Sequence, residues 1–293
     1  MNIFQQIDPP RKQARLCINK EATWYTWSPD FRILFEPWSR QVETLKAPAS
    51  IRLLGGKEYD NTYSLNIDSI SDKGLASDLT FFARNLYDSK ISDQLMLFTD
   101  LIDRDLCGRS LHFLFAFFRA ALVSFSRDPL AALCQPLSRG RKEGKEFPLH
   151  SDLYIPVILF NVFDDVRTDF SGASIFLSVS SIVELLPQVK TLPVETRKKI
   201  VENLTGIHEQ DRYEESYYLL HGCEHEWTAE LEKRMRQQQL RIKLHSGQGY
   251  LINDRKWLHG REALNCALSS KRFHRLVFNN RQAQRASVRR RRL

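Results

Sequence analysis

The sequence predicts an α+β protein with a mainly β core, and a change of hydrophobic period along the chain carries that expectation. Over residues 77–125 apolar side chains recur at three and four positions, as in Leu79, Phe82 and Leu86, then Leu95, Leu97 and Leu101, then Leu111, Leu114, Phe117, Phe118 and Leu122. That is the spacing of amphipathic helices. After Phe147 the pattern becomes short runs rich in Val, Ile and Phe, at 154–162, 173–179, 240–244, 249–252 and 272–279, which read as strands. Between these strands, residues 194–239 are charged and helix-like, the pattern of an insertion that could serve as a lid over a pocket.

Composition limits the domain count. The 293 residues are 42% hydrophobic and 11% aromatic, ample for one large core and thin for two. No repeat and no Gly/Ser-rich or Pro-rich linker divides the chain. The expectation is one domain over residues 1–280, with a helical part at about 1–146 and a β core at about 147–280 that contains the 194–239 insertion. A basic tail, 281–293, follows. The start of the chain lacks a basic stretch followed by an apolar run, so a cytoplasmic protein is expected. The apolar segment 111–123 is interrupted by His112 and Arg119 and falls short of the roughly 20 residues that cross a bilayer. It reads as a buried helix, with no membrane partner. Five cysteines, Cys17, Cys107, Cys134, Cys223 and Cys266, are odd in number and contain no C-x-x-C pair, so neither a disulfide framework nor a thiolate metal site is indicated.

The formal charge is +8, but six arginines lie in the last thirteen residues, leaving about +2 for the rest. Basicity is thus mostly a tail property. A solvated terminus is the favoured reading of that tail. Contact with nucleic acid or another polyanion is the alternative, and would make the protein one with a macromolecular target.

The segment Phe147-Pro148-Leu149-His150-Ser151-Asp152 places two metal-capable side chains at i and i+2, which on a strand share a face and can grip one ion. A third ligand is offered by His259, after a strand and turn at Gly249-Tyr250-Leu251-Ile252-Asn253-Asp254. Two imidazoles and one carboxylate on one face of an octahedral ion leave positions open for a cosubstrate and O2, which is the arrangement of non-haem iron(II) oxygenases. The basic strand Lys271-Arg272-Phe273-His274-Arg275 then supplies a cation able to pair with the distal carboxylate of 2-oxoglutarate.

At these residues the sequence resembles the taurine dioxygenase and clavaminate synthase-like family of Fe(II), 2-oxoglutarate-dependent dioxygenases. The resemblance covers roughly residues 147–279. It implies a double-stranded β-helix, the jelly-roll core shared with cupins. It also implies that His150, Asp152 and His259 are the metal triad and that Ser174, in Gly172-Ala173-Ser174-Ile175, is the hydroxyl residue for 2-oxoglutarate. The family often ends its site with two arginines four apart, one for 2-oxoglutarate and one for an acidic group on the substrate. Here Arg272 and Arg275 are three apart and face opposite ways in a regular strand, so only a bulge would turn both inward. The intact Asp152 implies hydroxylation, desaturation or cyclisation rather than halogenation, with release of succinate and CO2. The expected substrate is a small polar molecule, amino-acid-like or anionic.

Other residues take blander readings. His221, Cys223 and His225 could form a zinc site but lack a second ligand pair, and a polar turn before Trp227 is favoured. His208 and Glu209 read as packing within the insertion. Trp24, Tyr25, Trp27 and Trp38 read as core aromatics. His274 reads as a packed strand histidine. The oligomeric state is left open.

Overall fold

The computed structural model describes residues 4–8, 22–29, 51–53, 57–59, 94–101, 118, 132–135, 146–152, 157–164, 171–206, 215–216, 220, 225–263 and 272–279. Thirteen strands run through them: β1 (Phe4–Ile7), β2 (Ala22–Trp27), β3 (Ile51–Leu53), β4 (Lys57–Tyr59), β5 (Leu95–Phe98), β6 (Ala132–Gln135), β7 (Phe147–His150), β8 (Val157–Asp164), β9 (Ser174–Ser178), β10 (Leu240–Ile242), β11 (Gly249–Asn253), β12 (Trp257–Arg261) and β13 (Arg272–Asn279). Three helices, α1 (Val179–Leu185), α2 (Val194–Thr205) and α3 (Glu226–Gln238), lie between β9 and β10.

Two sheets carry the architecture. The larger has the order β1-β2-β5-β11-β8-β13-β6 and the smaller the order β10-β9-β12-β7; β3 and β4 pair separately. From β6 onward the antiparallel pairs are nested: β6 with β13, β7 with β12, β8 with β11, β9 with β10. The chain therefore behaves as one long hairpin whose successive pairs alternate between sheets. Alternation along each strand then separates two faces. Trp24, Leu97, Leu159, Tyr250 and Val277 of the larger sheet meet Phe176, Ile242 and Trp257 of the smaller in one apolar layer between the sheets. The other face of the smaller sheet, Leu149, Ile175, Leu177 and Leu258, is covered by Ile182 and Leu185 of α1, Ile200 and Leu204 of α2, and Trp227, Leu231 and Met235 of α3.

The helices of the insertion form as expected from their period. Their described packing, however, is against the back of the smaller sheet rather than over the space between the sheets, which corrects the lid expectation for α2 and α3. Each has one apolar stripe, and the stripe is used on the sheet. The segments between them, including His208, Glu209, His221 and Cys223, lie outside the described residues. So do Trp38, Leu79 to Leu86 and the tail 281–293.

Within residues 1–146, expected to be largely helical, the described residues include strands β1 to β6, and most of the others lie outside the described residues. Leu95 and Leu97, assigned to a helical stripe, form β5 instead, with all four of its residues buried. Of the helix expected at 111–123, only Phe118 is described; it is helical and packs edge-on against Phe160, with ring centroids 5.4 Å apart. Trp24 and Trp27 are buried at 1% and 4% exposure, as core aromatics should be. No helix among the described residues is long and apolar enough to cross a membrane.

One glycine sets the approach of β7 to β12. The register shifts between the His259–His150 and Arg261–Phe147 pairs, and Gly260 sits in that irregularity. A Cβ at Gly260 would lie 2.7 Å from the Phe147 carbonyl oxygen and 3.0 Å from the Pro148 carbonyl carbon, both fixed backbone atoms. Gly260→Ala is expected to cost about 1–3 kcal/mol, measured by urea unfolding, because overpacking against backbone finds no side chain to yield. Val194→Ala, at a 57% exposed position, should change stability by less than about 0.5 kcal/mol. Equal stability of the two variants would contradict the close approach.

Candidate metal centre

His150 ends β7 and Asp152 follows two residues later in a bend, while His259 occupies the middle of β12. The sequence placed His259 after a strand; β12 is the strand that reading missed. Because His150 and His259 are direct register partners, their side chains emerge on the same face, and their rings lie with centroids 4.5 Å apart. Asp152 closes the group. Its Oδ1 is 3.5 Å from His150 Nε2 and its Oδ2 is 3.2 Å from His259 Nε2. One ligand atom from each residue fits within 4.8 Å of the others, the one such group of three among the described residues.

The far side of the His150 ring is held by an oxygen acceptor, and that of His259 faces a carboxylate oxygen without a hydrogen bond. His150 Nδ1 is 2.9 Å from the Pro148 carbonyl oxygen, and His259 Nδ1 faces Asp254 Oδ1 at 3.5 Å. An acceptor at Nδ1 favours the tautomer that carries its proton there, which leaves the Nε2 lone pair for a metal. Two ring nitrogens and a carboxylate therefore converge, with the Arg275 guanidinium against Asp152 Oδ2. These residues fit a divalent metal of intermediate hardness, iron(II) included.

Asp254 is a residue that sequence reasoning missed. It is fully buried and sits in the turn between β11 and β12. Ser151 Oγ donates to its Oδ2 at 2.9 Å, and the Asp152 backbone N–H donates to its Oδ1 at 3.2 Å. One carboxylate thus fixes the bend bearing Asp152 and faces the ring of His259. Its sequence signal was an acid directly beside a β-strand in the segment that supplies His259.

Arg275 completes the charge balance. It is buried at 4% exposure on β13, donates to Asp152 Oδ2 and to Asn161 Oδ1 (2.7 Å from Nε), and has Nη2 3.5 Å from His259 Nε2. Burial would raise the Asp152 pKa, but Arg275 foremost, then His150 and His259, outweigh it and hold the carboxyl well below its usual range. Burial and the neighbouring His150 lower the pKa of His259, against the opposing pull of Asp152 and Asp254. The imidazole therefore stays neutral, the form that binds metal.

The register of β13 against β8 is unbroken from Arg272 to Asn279, so no bulge brings positions 272 and 275 onto one face. Arg275 is the arginine brought to the histidines and Asp152. Ser174 is buried on β9, where strand alternation puts it on the face of Phe176, the register partner of His259. His274 is the β13 partner of Val162, and His225 precedes α3 with its ring stacked on Trp227 at 5.5 Å. A cleft of about 400 Å³ involving Glu146, Ile175, Arg236, Arg241 and Glu262 lies elsewhere; Ile175 belongs to the helix-covered face, and Arg241 pairs with Glu262 at 3.3 Å.

No protein-family model and no curated protein matches the chain. Among solved structures, the chain is similar to an asparagine oxygenase, AsnO, at 12% identity and a TM-score of 0.48, covering 90% of this chain and 93% of that one. A second is the non-heme iron oxygenase OrfP in complex with Fe and alpha-ketoglutaric acid, at 12% identity and a TM-score of 0.44, covering 89% and 96%.

The depressed pKa of Asp152 makes a pH prediction. A carboxyl whose folded pKa lies below its unfolded value stabilises the fold above the unfolded pKa, about 4, and that stabilisation is lost as pH falls through the folded value. Chelator-treated wild type should therefore be more stable to urea than Asp152→Asn near neutral pH, and the gap should close on acidification below about pH 4. A gap that widens on acidification would contradict the assignment.

Proposed function

We propose that this chain is a non-haem iron(II)- and 2-oxoglutarate-dependent dioxygenase that hydroxylates, desaturates or cyclises a small polar molecule, amino-acid-like or anionic. The convergence of His150, Asp152 and His259 within 4.8 Å, with a buried arginine against them, is the observation that carries this reading. The nested pairing of β6 to β13 across two facing sheets supports a double-stranded β-helix as the fold, with the metal site between its sheets. We take residues 1–280 as one domain of this kind.

Iron bound by the triad would supply the activation of O2 coupled to oxidative decarboxylation of the keto acid to succinate and CO2. The chain's own residues supply position and charge. His150 presents Nε2, held so by the Pro148 carbonyl, and His259 presents Nε2 with Asp254 Oδ1 3.5 Å from its Nδ1. Asp152 supplies the one carboxylate, fixed through its backbone by Asp254. Arg275 offers a guanidinium for the distal carboxylate of 2-oxoglutarate, and Ser174 a hydroxyl on the same inter-sheet face. Phe176 and Trp257, at 0% and 1% exposure, exclude water from the inner wall.

The proposed substrate size rests on enclosure. Asp254, Arg275 and His259 are buried, while the His150 and Asp152 side chains keep 13% and 14% exposure. Among the described residues the partial exposure lies at His150 and Asp152, at and just after the end of β7, and so enclosed a site suits a small molecule better than a polymer. The leftover-arginine motive for an anionic substrate is weakened by the β13 register, because Arg275, the arginine brought to the triad, is the one assigned to 2-oxoglutarate.

Anaerobic titration of the apoprotein with iron(II) and 2-oxoglutarate tests the proposal. The expected result is the weak visible charge-transfer band of keto-acid chelation in wild type, abolished in Asp152→Ala. Wild type that binds neither iron nor the keto acid would overturn it.

A further inference from the structure

Asn161 is the polar residue in the site region whose use the triad does not explain. It lies at 0% exposure in the middle of β8. Leu159 and Phe163, on the same face two positions either way, belong to the apolar layer between the sheets. An amide there is costly unless both of its ends are used. One end is: Arg275 Nε donates to Oδ1 at 2.7 Å. Because a guanidinium nitrogen can only donate, this contact fixes the amide orientation, with Oδ1 toward Arg275 and Nδ2 turned away. Nδ2 is buried and has no hydrogen-bond partner among the described residues.

Register says what Nδ2 is next to. Asn161 pairs with Tyr250 on β11 and with Arg275 on β13, so three polar side chains form a continuous row across adjacent strands. The same row continues through Leu97 to Trp24, which are apolar. Beyond Arg275 the row reaches Gln135 of β6, and its polar stretch from Tyr250 onward passes the triad, where Arg275 touches Asp152 and the Tyr250 ring lies 6.5 Å from that of His259.

We propose that Asn161 binds 2-oxoglutarate directly, its Nδ2 donating to the distal carboxylate that Arg275 neutralises. A carboxylate offers about four lone-pair sites. A guanidinium leaves some of them unfilled, and a buried anion needs the rest satisfied as well as its charge compensated. Asn161 meets that need with a donor already desolvated and already oriented by the same arginine. This rests on the oxygenase reading and adds to it a residue that the H-x-D and distal-His pattern does not contain.

The test is equilibrium binding, under anaerobic conditions and with iron(II) loaded, of 2-oxoglutarate and of 2-oxopentanoate, which has a methyl in place of the distal carboxylate. Asn161→Ala should weaken 2-oxoglutarate by about tenfold or more, as loss of a hydrogen bond to a charged group does. It should leave iron(II) and 2-oxopentanoate binding unchanged. The loss should persist when Asn161→Ala is added to Arg275→Met, because a direct contact does not need the arginine. Asn161→Leu, close in volume and with no donor to strand, serves if the alanine variant folds poorly.

No loss for 2-oxoglutarate, an equal loss for both keto acids, or a loss that vanishes in the Arg275→Met background would overturn the proposal, the last showing that Asn161 acts only through Arg275. Wild type that binds both keto acids equally would sink the Asn161 assignment and leave the oxygenase reading standing. Wild type that binds iron(II) but neither keto acid would bring down both.

Discussion

The site depends on the pairing of β7 with β12. That ladder sets His150 and His259 as direct partners, with the two imidazoles on one face and their centroids 4.5 Å apart. Everything around it serves to keep the two strands close: Gly260 gives the Phe147 carbonyl room, and Leu149 and Leu258 anchor the outer faces of both strands under α1, α2 and α3. The helical insertion thus acts as the backing of the metal face. A shift of one residue in this register would turn one imidazole into the helix-covered layer and leave a single histidine with Asp152.

Charge is the second constraint. Asp152 and Asp254 are carboxylates at 3.2 and 3.5 Å from the two nitrogens of the His259 ring, one of them fully buried, and the structure holds them with Ser151 Oγ, a backbone N–H and the Arg275 guanidinium. Burying this many charged groups brings no net stability that an apolar layer would not bring more cheaply. The proposed binding of a cation and an anion would be the reason to keep them. The same logic reaches Tyr250, whose burial pushes its pKa up against the pull of Arg275, so that it remains a neutral hydroxyl in the polar row.

The grouping of His150, Asp152 and His259 was legible in the sequence because its chemistry is carried by residue type and order: a His and an Asp two apart at the start of the β region, a late His, and a basic strand. Strands 174–178, 249–253 and 272–279 were legible within two residues because Val, Ile and Phe cluster there. The N-terminal strands were not. Leu95 to Phe98 are buried on both faces between β2 and β11, so the alternation that marks a strand is erased and the leucine spacing imitates a helix. β12 was hidden by its composition, since Trp-Leu-His-Gly-Arg carries a glycine and two basic residues and becomes a strand through ladders on both sides. Periodicity also said that 194–205 and 226–238 bury one stripe without saying against what, which is why backing helices read as a lid. Asp254 and Asn161 acquire their roles only when residues 151–152 meet 254 and when 161 meets 275, contacts of long sequence separation that no local pattern records.

The central claim is that one metal ion is held by three side chains of this chain. Anomalous X-ray scattering at the iron edge, from crystals grown anaerobically with iron(II), tests it most directly. The account predicts one peak per chain, bonded to His150 Nε2, an Asp152 carboxylate oxygen and His259 Nε2 at about 2.0–2.2 Å. A peak elsewhere, or none at saturating iron(II), would contradict it.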